Sequence, residues 1–413
     1  MQRFQCAGGD CSDTCCRDFA VAFDKPSLRR MLTATGNNLA ERERVVRLVV
    51  PGREEAMASL NEQGACPMLE SSGQCELHRK YGDAALATAC SVFPRTSLRV
   101  GDRLEVSGTL ACPELAKLTL LFEDGVIQGE SPTLLLSRNY VGKNVDVVDE
   151  SSDAYVAHFE LVRAVLLKLF DLRDYPLSSR LTFAAQFAAQ IEDFFLKGTT
   201  AFRGKQQPFM HRRLMAEIEL AKDASTLNSL HDDIRAFAGN NEAVLGAVLS
   251  LLRQRLRLTH STKFAAAVAG LVSAKDTDDK PLLRLLTGQN TSLATTFPGF
   301  VDRVLSRYAR HYLLRNPYTE APTVLAYLGR LALALAAIKT MVLASPRVND
   351  LLAEPANPKD DANALGQIMV DMAQTFTKTV AHQANFLQAF HQAFESGTGT
   401  PFGRLVLFAR YLA

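Results

Sequence analysis

The sequence predicts a mainly α protein: a small cysteine-rich, metal-binding N-terminal domain with a short β-hairpin, followed by a multi-helix C-terminal body. Three observations predict it. All eight cysteines, Cys6, Cys11, Cys15, Cys16, Cys66, Cys75, Cys90 and Cys112, fall in the first quarter of the 413 residues. Such clustering asks for a common cause, and a shared metal site is the simplest. Leu98, Val100, Leu104 and Val106 alternate around Gly101-Asp102, which reads as a hairpin. After Ser151 the apolar period becomes helical. The boundaries that follow are 1–116 for the cysteine-rich domain, 117–150 for a connecting segment and 151–413 for the helical domain.

In FQCAGGDCSDTCC, Gly8 and Gly9 allow the tight chain path needed for several thiolates to converge. Cys15 and Cys16 are adjacent, and neighbouring side chains diverge on either a strand or a helix, so one of the pair is expected to serve another role. Residues 20–60 read as one or two helices, opening at Pro26-Ser27-Leu28 and broken at Pro51-Gly52. In ACPMLESSGQCEL, Ser71-Ser72-Gly73 marks a turn that carries Cys75 back towards Cys66. Cys90 and Cys112 each lie close to a proline that stops a helix from running through the ligand. The metal is thus expected between loops and a small ribbon.

Beyond 117, LTLLFEDGVI ends in a turn at Asp124-Gly125, and NYVGKNVDVVDESSD is polar enough for a connecting loop. Phe159, Val162, Leu166, Leu169 and Phe170 then fall at three-and-four spacing, as do Leu181, Ala184, Phe187, Ile191, Phe194 and Phe195. Breaks at Arg203-Gly204, Gly239-Asn240, Asp276 to Pro281, Phe297-Pro298-Gly299, Asn316-Pro317, Pro346 and Glu354 to Asp361 divide the remainder into roughly nine or ten helices. No period of repeat length recurs. A last amphipathic run carries Ile368, Met372, Phe376, Phe386, Phe390 and Phe394 on a core face.

Composition limits the function. A hydrophobic content of 47% supplies a sizeable core, and 46 basic against 44 acidic residues create no field for nucleic acid or an anionic membrane. Apolar runs such as LALALAAI stop at Arg330 and Lys339, short of a membrane span. No apolar stretch precedes Cys6, so no signal peptide is expected, disulfides become the minority reading, and a cytoplasmic, monomeric protein is expected. Four thiolates suit structural zinc, and iron-sulfur clusters take thiolates as well. The spacing matches neither paired C-x-x-C zinc ribbons nor the ferredoxin run and leaves zinc and iron open. There is no glycine-rich turn of a doubly wound methyltransferase and no C-x-x-x-C-x-x-C radical motif; Cys11 to Cys16 reads C-x-x-x-C-C.

Four blocks nevertheless carry a resemblance: F-x-C-x-G-x-x-C-x-x-x-C-C from Phe4, C-P-x-L-x-x-x-G-x-C from Cys66, C-x-x-F-P-R from Cys90 and L-x-C-P-E from Leu110. In that order they resemble the flagellin lysine-N-methylase family, whose cysteine-rich portion belongs to a wider set of zinc- or iron-chelating domains. HFELVRAVLLKLFDLRDYPLSSRL and VLSRYARHYLLRNPY are similar to its helical portion in texture. The family often has a tryptophan after the double cysteine, where this chain offers Phe19 and has no tryptophan anywhere. The resemblance implies one 4Fe-4S cluster, with zinc as the alternative metal, and methyl transfer from S-adenosylmethionine to lysine on a protein substrate, flagellin in the type members. Other outcomes are a related methylase acting on a peptide or small amine, and a non-catalytic metal-stapled helical interaction protein.

Arg95 and Glu114 stand at matched family positions and are the cofactor-binding candidates. Arg95 could grip a carboxylate, or pair with a local acid; Glu114 could help to deprotonate lysine, or cap the helix that starts near Leu115. His78, three residues past Cys75, is a possible mixed metal ligand. Tyr308, His311 and Tyr312 share a helix, with packing weighed above catalysis. The sequence identifies no catalytic base. It also leaves open whether the cluster binds the methyl donor through an open iron or only holds the domain together.

Overall fold

The computed structural model describes residues 3–19, 21–47, 49–51, 56–131, 136, 138, 140–147, 154–192, 207–272, 279–353, 357–382, 390, 394 and 397–413. Phe194, Phe195, Phe386 and the breaks at Gly52 and at Arg203-Gly204 lie outside them. The architecture is mainly α, with two small sheets confined to the first 145 residues.

The N-terminal portion holds helices α1 (Lys25–Ala34), α2 (Leu39–Arg47), α3 (Glu76–Tyr81), α4 (Thr88–Val92) and α5 (Pro113–Leu121). Asp24 caps α1 by accepting the Ser27 N–H at 2.6 Å, and Pro26 occupies its first turn, where the missing donor costs nothing. One sheet joins β1 (Ala22–Phe23), β2 (Val49–Pro51) and β3 (Ala56–Ala58) in the order β1-β3-β2. The other is built on the hairpin of β4 (Arg95–Val100) and β5 (Arg103–Gly108). Val100 pairs with Arg103 across Gly101-Asp102, and Gly101 takes the positive φ of 54° that a two-residue hairpin turn needs. A third strand, β6 (Lys143–Val145), joins β4 in parallel inside the segment expected to be a loop. Its three residues are too short a run for the period of two to show.

The helical portion runs through α6 (Ala154–Ala157), α7 (Phe159–Phe170), α8 (Leu177–Glu192), α9 (Gln207–Leu220), α10 (Ala224–Ala236), α11 (Asn241–Leu258), α12 (Thr262–Val272), α13 (Lys280–Thr296), α14 (Phe300–Arg315), α15 (Val324–Leu343), α16 (Pro346–Ala353), α17 (Pro358–Phe376) and α18 (Pro401–Leu412). Helix α15 is its axis. Thr323 caps it by accepting the Ala326 N–H at 3.0 Å, every residue in it is buried, and it packs on α8, α14, α17 and α18. It is long and apolar enough to cross a membrane, contrary to the expectation that Arg330 and Lys339 break the run. Both are instead buried within the helix, whose whole surface is covered by other helices. Two apolar cores result. The smaller gathers Val21, Phe23, Met31, Val45, Met68, Leu77, Leu86 and Ala87; the larger joins the hairpin and α5 to the helices.

Close packing on α15 is steric at Gly329, where an added Cβ would come within 2.5 Å of the Phe394 ring. In a helix, Gly→Ala ordinarily stabilises by about 1 kcal/mol. Here the clash meets a buried ring that also lies under the Arg404 guanidinium, 5.2 Å from the ring centre, and overpacking costs about 1–3 kcal/mol. Gly329→Ala is therefore expected to lower the unfolding midpoint in urea, whereas a midpoint at or above wild type would show that the ring yields freely.

Lys339 donates to the carbonyls of Tyr411 at 3.2 Å and Leu412 at 2.9 Å, and burial lowers its pKa to about 8. The unfolded lysine keeps its proton to about pH 10.4. Between these values unfolding takes up a proton, so this group makes stability rise with pH. Denaturation at pH 8 and at pH 10 is expected to show a gain in wild type exceeding that in Lys339→Met by about 1–2 kcal/mol; equal gains would contradict it.

Candidate functional site

The site begins with two interlocked loops. Gly9 and Gly73 lie against each other, and a Cβ on Gly9 would come within 2.7 Å of the Ser72 carbonyl oxygen. Only glycine permits that approach. The Cys66 N–H donates to the Cys16 carbonyl at 2.7 Å, and Leu69 and Cys75 form a bridge that closes the second loop at the expected turn. Cys75 and Cys112 sit at the N-caps of α3 and α5. Cys90 lies inside α4, not in a loop.

Main-chain N–H groups converge on these sulfurs. Cys6 accepts from Gly8 at 3.4 Å, Cys11 from Asp13, Cys66 from Met68, Cys75 from Leu77 and His78, and Cys112 from Glu114 and Leu115. Such donors favour a thiolate, and at helix N-termini the dipole adds to them. All eight cysteines are free. They form two groups: Cys16 touches Cys75, with Cys66 and Cys90 facing the pair, while Cys6, Cys11 and Cys112 lie together near Glu114. Cys15 is exposed, and its thiol is within hydrogen-bond reach of Cys16, so the two adjacent side chains approach each other rather than diverging.

As protonated thiols, Cys11, Cys16, Cys66, Cys75, Cys90 and Cys112 are held high. The hydrogen bond with Cys15 comes first for Cys16, at about 12, and burial comes first for Cys90, at about 12, and Cys112, at about 11. Among the described residues no three His, Cys, Asp or Glu side chains are gathered tightly enough to hold a metal ion. The fit lies in donor chemistry: thiols supplied with N–H groups for negative charge, which zinc and iron-sulfur clusters both take. The sulfurs would have to draw together around either.

The remaining sequence candidates are spread out. The Arg95 guanidinium lies 5.5 Å from the centre of the Phe4 ring. Glu114 is in the first turn of α5, near Cys11. His78 is exposed on α3.

A second feature joins the cysteine loops to the helices. After α17 the chain makes a π turn, Thr377–Ala381, a form that often marks functional positions. Lys378 from that turn donates to Asp13 Oδ1 at 2.6 Å and to the Thr14 carbonyl at 3.1 Å, and Gln374 donates to Asp13 Oδ2 at 2.8 Å. Phe19 packs edge-on against Phe93 and His382 beneath the Lys378 ammonium.

Beside this seam is a polar recess. His311, Tyr312 and Arg315 on α14 and Lys143 on β6 are half-buried and His382 is exposed at its edge, so they line an open recess rather than packing solid. His311 Nε2 meets the Gly108 carbonyl at 2.8 Å and His382 Nε2 meets Thr109 Oγ1 at 2.7 Å. Burial keeps both imidazoles neutral, with pKa values pushed down to about 3. Lys143 donates to Asn316 Oδ1 and Glu320 Oε2, each at 2.9 Å. Arg330 from α15 bonds through Nε to the Tyr312 hydroxyl. Burial raises the Tyr308 pKa to about 12. Sequence reasoning singled out Tyr308, His311 and Tyr312 but missed Lys143, Arg315, Glu320, Arg330 and His382. A signal existed for Arg330, an arginine set within an otherwise apolar run; the others had none.

Comparison with known proteins bears on the helical portion. The family description "FliB lysine N-methylase C-terminal domain" matches residues 163–405, which include α14, α15 and the π turn. The chain is 30% identical over 134 residues to the flagellar biosynthetic protein FliU of Salmonella muenchen, 32% of this chain and 79% of that protein. It is 27% identical over 133 residues to lysine-N-methylases of Salmonella typhimurium and Salmonella choleraesuis, 32% of this chain and 33% of each relative, so the match spans about a third of those two proteins. No solved structure matches. The chain belongs to the FliB lysine N-methylase family, a family of lysine N-methyltransferases.

Proposed function

We propose that this chain transfers a methyl group from S-adenosylmethionine to a lysine of a protein substrate, flagellin being the first candidate given the flagellar name of the FliU relative, and that its cysteine segment carries a 4Fe-4S cluster. The observation that carries the reading is a recess lined by cations and neutral histidines, set where the thiol loops meet the helices matched by the family. Eight free thiols suit a reducing cytoplasm, where we expect it to act.

Bound S-adenosylmethionine supplies a methyl group made electrophilic by its sulfonium. The acceptor amine must first lose a proton, and a free lysine holds it to about pH 10.4. Lys143 illustrates what the recess does to an ammonium: burial, with repulsion from Arg315 and Arg330, lowers its pKa to about 8 despite Glu320. A substrate lysine brought beside the same cations would lose its proton for the same reason. Neutral His311 and His382 add polar atoms without charge. Enclosure by Phe19, Phe93 and Tyr312 keeps water from competing with the amine.

The cluster would be held by thiolates of the Cys16, Cys66, Cys75 and Cys90 group, supplying a rigid crosslink between the loops and Lewis-acidic iron. Cys6, Cys11 and Cys112 form the other thiol group, and Cys15 lies exposed at the edge of the first, hydrogen-bonded to Cys16.

Protein purified without oxygen, incubated with methyl-labelled S-adenosylmethionine and flagellin, is expected to place label on lysine; absence of both labelled lysine and donor binding would overturn the reading. Iron, sulfide and the visible spectrum test the metal assignment. Wild type and Cys15→Ser are expected to be brown with equal iron, and Cys75→Ser to lose most of it. A colourless wild type containing zinc alone would replace the cluster with a structural metal.

A further inference from the structure

We propose that Arg315 and Arg330 together form the seat for the α-carboxylate of the methyl donor. The proposal rests on the methyl-transfer reading above and deepens it by naming where the amino-acid end of the donor is held.

The first argument is charge. Among the described residues the recess sets three cations, Lys143, Arg315 and Arg330, against one carboxylate, Glu320, which leaves two positive charges over. Both histidines are neutral and add nothing. Buried charge without a partner is expensive, so such a surplus is kept where an anion completes it.

The second argument is hydrogen bonding. Arg315 Nε and Arg330 Nη2 are buried without any acceptor. Arg315 uses Nη1 on Asn316 Oδ1 at 3.2 Å, and Arg330 uses Nε on Tyr312. Arg330 Nη2 is 3.9 Å from Glu320 Oε2, too far for a hydrogen bond. Two guanidiniums with donors to spare suit a carboxylate, whose two oxygens accept parallel N–H bonds. Position agrees as well. Arg330 is fixed by the axial helix and stacks near the Tyr312 and Tyr327 rings, at 5.5 and 5.7 Å, so it presents its free edge in one orientation.

A cleft of about 1190 Å³ between α8, α14 and α18 is also rich in arginine, but Arg180 is paired with Asp302 at 2.9 Å, Arg310 with Asp171, and Arg307 and Arg410 with main-chain carbonyls. Most of its cations are thus taken, with Arg180 Nε a lone buried donor, whereas in the recess two guanidiniums side by side each keep a buried donor without an acceptor.

Calorimetric titration decides the matter without turnover. Wild type is expected to bind S-adenosylmethionine at least tenfold more tightly than its decarboxylated analogue, which lacks only the carboxylate. Arg315→Gln and Arg330→Gln are each expected to lower affinity for S-adenosylmethionine tenfold or more while leaving affinity for the analogue unchanged. Thermal melts check that the variants fold; should either fail, Arg315→Lys and the two-donor comparison on wild type decide. Equal affinity of wild type for both donors, or variants that bind S-adenosylmethionine as wild type does, overturns the seat and leaves methyl transfer standing. No binding of either donor overturns both.

Discussion

Asp13 is the residue on which the arrangement turns. It lies two positions before the double cysteine, is 11% exposed at the side chain, and is held by Lys378 at 2.6 Å and Gln374 at 2.8 Å, with Lys263 at 3.6 Å. A carboxylate so enclosed is stable only because partners meet both oxygens. The partners come from the far end of the sequence, so this contact fixes the cysteine loops against α17 and the π turn. Gln374 also reaches the Ala111 carbonyl at 2.9 Å, next to Cys112. Loss of Lys378 would leave the carboxylate with Gln374 and the more distant Lys263 alone, at a cost of up to about 3–5 kcal/mol.

The π turn is the geometric means to that contact. Thr377 Oγ1 donates to the Ala373 carbonyl at 2.7 Å, a local bond that competes with the helical ladder. The widened turn follows at that residue, and Lys378 and Thr377 are re-aimed towards Asp13 and Tyr308. One local distortion thus serves both the seam and the recess wall.

Local chemistry was legible in the sequence, and distant partnership was not. Gly101-Asp102 announced the hairpin, Ser71-Ser72-Gly73 the second cysteine loop, and Pro26 the start of α1, because each signal lies within a few residues of its effect. β6 had no such signal: Lys143 to Val145 becomes a strand only by pairing with Leu98 to Val100. The recess was hidden for the same reason. Lys143, Arg315, Glu320, Arg330 and His382 come from five separate places, and nothing in their spacing foretells that they meet. Arg330 and Lys339 misled in a particular way, because charges that interrupt an apolar run read as its ends. Each is instead retained inside the helix by a specific partner, Tyr312 for one and the last carbonyls of α18 for the other.

If the proposed methyl transfer from a sulfonium to an amine takes place here, it accounts for the charge of the recess. The donor enters with one positive charge and the methylated product leaves with one, so a cationic wall opposes start and finish alike and does little to the methyl step itself. Its leverage falls on the proton and on the carboxylate. On the proposed reading, an incoming lysine would be favoured as the neutral amine, the only form with a lone pair to attack, while the donor's carboxylate would be attracted to the guanidiniums and its sulfonium pushed from them. The two effects would orient the donor end to end. Burial strengthens both, since the interaction between charges grows as water is excluded. Neutral His311 and His382 keep the wall polar without adding to the repulsion, which is why their low basicity belongs to the design of the site rather than standing against it.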